Sequence, residues 1–183
     1  MGTEMKVEGY DAAYKRGKYL EHYTKSRWFE RFEATAKHIN IDDKILEIGC
    51  GTGQLANLLF DEQKRNYKGY DFSPVAIDVC KSLDLEPMTF YIANAYDESA
   101  YYPDYDTVII CEVLEHLDDF AILENIKQGT KIVISLPYRS PADNHLFVIR
   151  DEQQVIDRYK GIIDIETIKL IGGLWYVFKG VKI

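Results

Sequence analysis

Cysteine is scarce in this 183-residue chain: Cys50, Cys80 and Cys111 are its only three, odd in number and far apart. That excludes a disulfide framework and a Cys-based zinc spacing, and it fits reduced thiols in a cytoplasmic protein. Positive charge is also short, with 22 Lys and Arg against 30 Asp and Glu and a net charge of −8. A broad nucleic-acid surface needs the opposite balance. One local exception runs from Lys15 to Lys37, where seven basic residues meet three Glu. A solvated helix face accounts for it better than a binding stripe. No apolar run approaches the ~20 residues that span a bilayer. The opening MGTEMKVEGY has no apolar signal core, and Lys6 stands where a myristoylation motif takes Ser or Thr. No membrane partner is expected.

What is present is an alternation of apolar runs. At 46% apolar residues the chain can bury one core but not two, so a single domain over residues 1–183 is expected. Residues 10–38 read as helix, because Tyr10, Tyr14, Tyr19, Tyr23, Phe29, Phe32 and Ala36 recur at spacings near 3.6. KILEIGC, NYKGYDF, MTFYIANA, YDTVIICEV and KIVISLP then read as five strands with helical runs between them. Ser73-Pro74 supplies a cap and a first-turn proline for one helix, and Asp118 and Asp119 suit the start of another. IIDIETIKLI and WYVFKGVKI flank Gly172-Gly173 and should pair as a hairpin. The pattern predicts an α/β fold: a seven-stranded, mostly parallel sheet with helices on both faces and a C-terminal antiparallel hairpin. Ligands of such sheets lie beyond the carboxyl ends of the strands, where strand order reverses.

LEIGCGTGQL, residues 46–55, sits at such an end. Its Gly49, Gly51 and Gly53 make G-x-G-x-G, with Gln54 where a dinucleotide fingerprint takes its last glycine, and no Gly-Lys-Ser/Thr follows. Glu47, two residues upstream of Gly49, would repel a pyrophosphate but favour an ammonium or a sulfonium. The pattern resembles the first motif of the class I S-adenosylmethionine-dependent methyltransferases, with their Rossmann-like sheet. The likeness extends through YKGYDFS, YIANAYD, YDTVIICEVLEHLDD and GTKIVISLP, in the family's order. The resemblance implies a cofactor site in which Glu47, Gly49, Cys50, Gly51, Gly53 and Gln54 face the amino-acid end. Asp71, 18 residues past Gly53, would accept both ribose hydroxyls. Phe72, Asn94 and Ala95 would meet the adenine, and Glu112 closes the set. It also implies that part of the N-terminal segment, residues 1–40, covers the cofactor, although Tyr10, Tyr14, Tyr19, Tyr23 and Trp28 mainly suit packing on the sheet.

A second constellation lies in CEVLEH. If the segment turns helically, Glu112, Glu115 and His116 project from one face, and His145 in PADNHLF can join them from the loop after the fifth strand. Two carboxylates and imidazoles suit Mg²⁺ or Mn²⁺. The Glu-x-x-Glu-His set is similar to that of the ubiquinone-pathway O-methyltransferases and of the 3′-terminal RNA 2′-O-methyltransferases, which hold a metal there. Three readings stay open: a metal site of Glu112, Glu115, His116 and His145; catalysis by Glu115, His116 or His145 without metal; and plain capping of the next helix. The expected activity is methyl transfer to an oxygen or nitrogen of a small-molecule acceptor, because the chain is acidic and lacks an appended substrate domain. RNA 3′-end methylation and non-catalytic cofactor binding are the alternatives.

Overall fold

The computed structural model describes residues 6–17 and 19–183. Seven strands form one sheet in the order β3-β2-β1-β4-β5-β7-β6. The central strands are β1 (Ile45–Ile48), β2 (Tyr67–Asp71), β3 (Thr89–Ile92), β4 (Thr107–Cys111) and β5 (Lys131–Pro137). All five run parallel. As expected, β6 (Ile163–Ile171) and β7 (Trp175–Lys182) close the sheet as a hairpin, with β7 antiparallel to both β5 and β6. Strand order reverses between β1 and β4, so a crevice opens at their carboxyl ends.

Every residue of β1 is buried because both faces are covered. Leu46 and Ile48 join Val108, Ile110, Ile132 and Ile134 in one core, packed with Ile122 and Leu123 of α5 (Asp119–Glu124) and Val155 and Tyr159 of α6 (Glu152–Tyr159). The alternate residues Ile45, Ile109 and Val133 face the other core. There they meet Phe32 and Ala36 of α2 (Phe29–Ala36) and Leu55, Leu58 and Leu59 of α3 (Gln54–Asp61). Glu47 shares that second face by strand alternation. α4 (Pro74–Ser82) starts as its sequence signals: Ser73 accepts from the Ala76 N–H at 3.1 Å, and Pro74 fills the first turn. Asp118 likewise caps α5.

The N-terminal segment departs from expectation. Instead of one helix over residues 10–38, α1 (Val7–Lys15) and α2 are separated by a 3-10 turn at Tyr23–Lys25. The break follows from Gly17 and Tyr19, both at positive φ (84° and 65°), a backbone state that no right-handed helix continues through. The step from Tyr14 to Tyr19 is five residues, so the aromatic stripe is two stripes.

Candidate active site

The glycine loop leaves β1 at Gly49. Its φ is +70°, and a Cβ there would run into the Val113 side chain, so this position needs glycine on both counts. The loop is tied across the crevice to the end of β2. Asp71 accepts from the Gly51 N–H (3.0 Å) and the Ser73 N–H (2.9 Å), one on each oxygen. The Phe72 N–H is a further backbone donor to this carboxylate, so three amides hold it at the end of β2. Burial is the chief reason that the Asp71 carboxyl is pushed up to about 6.

Glu47 lies beneath the loop, and only 3% of it is exposed. The Tyr67 hydroxyl donates to it at 2.5 Å, and the missing Cβ of Gly69 makes room for that ring. Burial pushes Glu47 up to about 7, with the Tyr67 bond and the Arg31 charge pulling the other way.

Two cavities share Tyr10, Tyr14, Gly49, Glu112 and His116 as walls. The narrower is lined by Asp71, Phe72, Asn94 and Ala95, the residues assigned to the nucleoside. The wider, about 750 Å³, falls within the ~300–1,000 Å³ of ligand pockets and takes in Glu47, Cys50, Gly51, Gln54, Glu115 and His145. Gly53 is at the start of α3 and lines neither. Asn94 is exposed, and its side-chain oxygen accepts from the Tyr96 N–H at 3.0 Å.

α1 supplies Tyr10 and Tyr14 to the walls of both cavities. Its Asp11 hydrogen-bonds the Ser73 hydroxyl, and the Tyr10 ring stands edge-on to Phe72 (centroids 5.3 Å) and to His116 (6.3 Å). The Tyr10 hydroxyl meets the Asn144 side chain; burial, then Glu115, raises it to about 12, so it remains a donor. Tyr19 and Trp28 line the wider cavity, while Tyr23 turns away to Asp61. The expectation that these aromatics mainly pack on the sheet is therefore corrected for Tyr10, Tyr14 and Tyr19, whereas Trp28 both packs on the core and lines the cavity. The split of the N-terminal segment frees α1 to lie on α4.

The Glu-x-x-Glu-His segment is not a helix. β4 ends at Cys111, Glu112 takes φ +56°, and only Leu114–His116 form a 3-10 turn. Glu112 consequently points elsewhere. It sits 3.4 Å from the Arg31 guanidinium, accepts from the Ser135 hydroxyl at 3.1 Å, and meets the Trp175 side chain. The shared face expected for Glu112, Glu115 and His116 does not form.

Glu115, His116 and His145 do converge, with one ligand atom from each within 4.8 Å of the others. Two carbonyls orient the imidazoles: His116 Nδ1 lies 3.1 Å from the Asn144 oxygen, and His145 Nδ1 lies 2.7 Å from the Ser140 oxygen. A carbonyl can only accept, so each Nδ1 carries a proton, and Nε2 is the nitrogen that a neutral ring offers to a ligand. His116 Nε2 is 3.7 Å from Glu115 Oε1. Burial lowers the His116 pKa and keeps that ring neutral. The Glu115 carboxyl is buried, and its Oε2 has no hydrogen-bond partner among the described residues. Burial and then Glu112 raise it well above the ordinary range. A bare buried oxygen beside two ring nitrogens is a donor set suited to a divalent cation.

Sequence reasoning missed Arg31 and Trp175 as site residues. Arg31 is buried, lies close to Glu112, and lines the wider cavity beside Trp175. Neither carries a motif; the sheet brings α2 and β7 to the crevice from opposite ends of the chain.

A family model described as a methyltransferase domain matches residues 20–159. The chain belongs to the class I S-adenosylmethionine-dependent methyltransferases. It is therefore an enzyme rather than a non-catalytic cofactor binder. Solved structures share the methyltransferase fold at low identity. The chain is similar to an S-adenosylmethionine-dependent methyltransferase from Aquifex aeolicus (TM-score 0.74, 13% identity, 98% of this chain and all of that one). It is also similar to the methyltransferase domain of bacterial CtHen1 (0.64, 19%, 83% and 97%). The [4+2]-cyclase SpnF shares the fold as well (0.76, 12%, 100% and 99%). Among curated proteins no sequence relative matches. No helix among the described residues is long and apolar enough to cross a membrane.

Proposed function

We propose that this methyltransferase acts on an oxygen or nitrogen of a small-molecule acceptor held in the wider cavity, a hydroxyl being favoured. The convergence of Glu115, His116 and His145 beside the cofactor crevice carries that reading. When bound, S-adenosylmethionine supplies an electrophilic methyl group on a positive sulfur. The protein then contributes alignment and removal of the acceptor's proton.

Asp71, on the wall of the narrower cavity, would hold the ribose hydroxyls, and Phe72 would pack on the adenine beside Asn94 and Ala95. Glu47, Glu112 and Glu115 lie around the buried Arg31, and burial raises all three carboxyls, so a cationic ligand arriving there would favour their ionised forms. Glu115 and the Nε2 atoms of His116 and His145 would hold Mg²⁺ or Mn²⁺, which would lower the pKa of an acceptor hydroxyl. Without an ion, either ring nitrogen can accept the proton itself. The cavity walls run from Tyr10 to Trp175, which supports treating residues 1–183 as one catalytic domain. Three free cysteines suit a cytoplasmic setting.

Calorimetric titration of Mg²⁺ and Mn²⁺ into protein saturated with S-adenosylhomocysteine tests this, beside a Glu115→Gln, His145→Ala double variant. Saturable binding lost in the variant is expected, together with methylation of catechol as a vicinal-diol probe. Absence of binding in the wild type would sink the metal and leave the histidine base. The 3′-terminal ribose of RNA is a second reading, favoured by the exposed Arg27 on the cavity wall. Methylation of an RNA oligonucleotide, weakened by salt and preferred to catechol, would put it first.

A further inference from the structure

His145 belongs to a stretch without regular structure, residues 138–151, yet that stretch is pinned from outside. The first residue of α5, Asp119, is buried and takes a two-pronged bond from Arg158 of α6: Nε to Oδ2 at 2.6 Å and Nη2 to Oδ1 at 2.8 Å. The Tyr159 hydroxyl donates to the same carboxylate at 3.0 Å. A guanidinium held by a fork of this kind has little freedom to turn. It lies 3.7 Å from the centre of the Phe147 ring and 4.9 Å from that of Phe120. Phe147 is two residues beyond His145.

We propose that Arg158, oriented by Asp119, is the positioning residue for His145 and for the carbonyl that orients His116. By fixing Phe147 it sets the register of residues 144–147. The Leu146 N–H then reaches the Glu115 carbonyl at 2.6 Å, and the Asn144 carbonyl meets His116. Arg158 touches none of the three converging side chains and acts only through the loop. A stabilising role alone would be served as well by an apolar pair, since burying ions costs about what their attraction returns. A fixed loop register is what the fork adds. The proposal rests on reading Glu115, His116 and His145 as the ion and acceptor site.

The test uses S-adenosylhomocysteine-saturated protein and two variants. Arg158→Lys keeps the charge but loses the fork, and Phe147→Leu keeps the Asp119–Arg158 pair but loses the ring. Three quantities are measured: Mn²⁺ affinity, the His145 tautomer by ¹⁵N NMR of the imidazoles, and S-adenosylhomocysteine affinity. Both variants are expected to weaken Mn²⁺ binding by about 10- to 100-fold. Both should also erode the Nδ1-protonated form of His145, while cofactor-product affinity, a check on folding, stays unchanged. Variants that melt earlier but keep Mn²⁺ affinity and the His145 tautomer would overturn the proposal. Should the wild type bind no Mn²⁺, the metal reading fails by itself. The tautomer then decides the positioning role: a change in both variants supports it and no change overturns it.

Discussion

On the β1–β2–β3 side of the crevice, each candidate side chain hangs on a strand end or the turn just after it, and backbone amides hold it in place. Asp71, gripped by the Gly51 and Ser73 N–H groups, is the clearest case. On the β4–β5 side, the candidates hang on a left-handed residue, a single 3-10 turn and an irregular loop. Carbonyls bonded to ring nitrogens and the Asp119–Arg158 fork hold them. A backbone-built site is common to every member of a fold, whereas a site built by side chains and loops is free to vary with the acceptor. The division of labour within the enzyme follows from that contrast.

The contrast can be broken at its rigid side first. Gly49→Ala adds a Cβ at positive φ against Val113 and is expected to cost about 2–5 kcal/mol of stability, read by denaturant unfolding. Wild-type stability in that variant would mean that the loop is not the fixed half. Asp71→Asn should weaken S-adenosylhomocysteine binding by about 3 kcal/mol, roughly 100-fold by calorimetry, because two charge-assisted bonds are lost. An unchanged affinity would remove Asp71 from the cofactor site.

Glu47 sharpens the electrostatic side of the comparison. Its pKa in the fold, about 7, lies above the ordinary 4.5, so its contribution to stability is present below 4.5 and is lost as pH rises through 7. Glu47→Gln does not titrate. The unfolding free energy of the variant minus that of the wild type, from denaturant titrations, should therefore grow from pH 5 to pH 8 by about 2 kcal/mol. A gap independent of pH would contradict the shift. The smallest effect is expected for Tyr10→Phe, which loses the bond to Asn144 at a cost of about 1 kcal/mol in thermal melting.

The same contrast explains what the sequence disclosed. Gly49, Asp71 and the Ser73-Pro74 cap are read from neighbours within a few residues, so the strands, the hairpin and the glycine turn were legible. The meeting of Glu115, His116 and His145 followed from both segments lying at the carboxyl end of the sheet. Glu112 was misplaced because nothing local announces a left-handed glutamate; its turn is set by Arg31, Ser135 and Trp175, each from another element. The N-terminal segment was misjudged because apolar periodicity outweighed one glycine at position 17 and a five-residue step. Arg31 and Trp175 were silent for the same reason as Glu112: long-range packing alone makes them neighbours of the crevice.

The central claim is that the two halves face one reaction site. Mn²⁺ can be added to protein bound to S-adenosylmethionine labelled with ¹³C in its methyl group, and the methyl linewidth compared with that in the Glu115→Gln, His145→Ala double variant. Strong paramagnetic broadening in the wild type that vanishes in the variant is the predicted result. A methyl resonance equally sharp in both, with Mn²⁺ bound, would place the ion away from the methyl group and contradict the account.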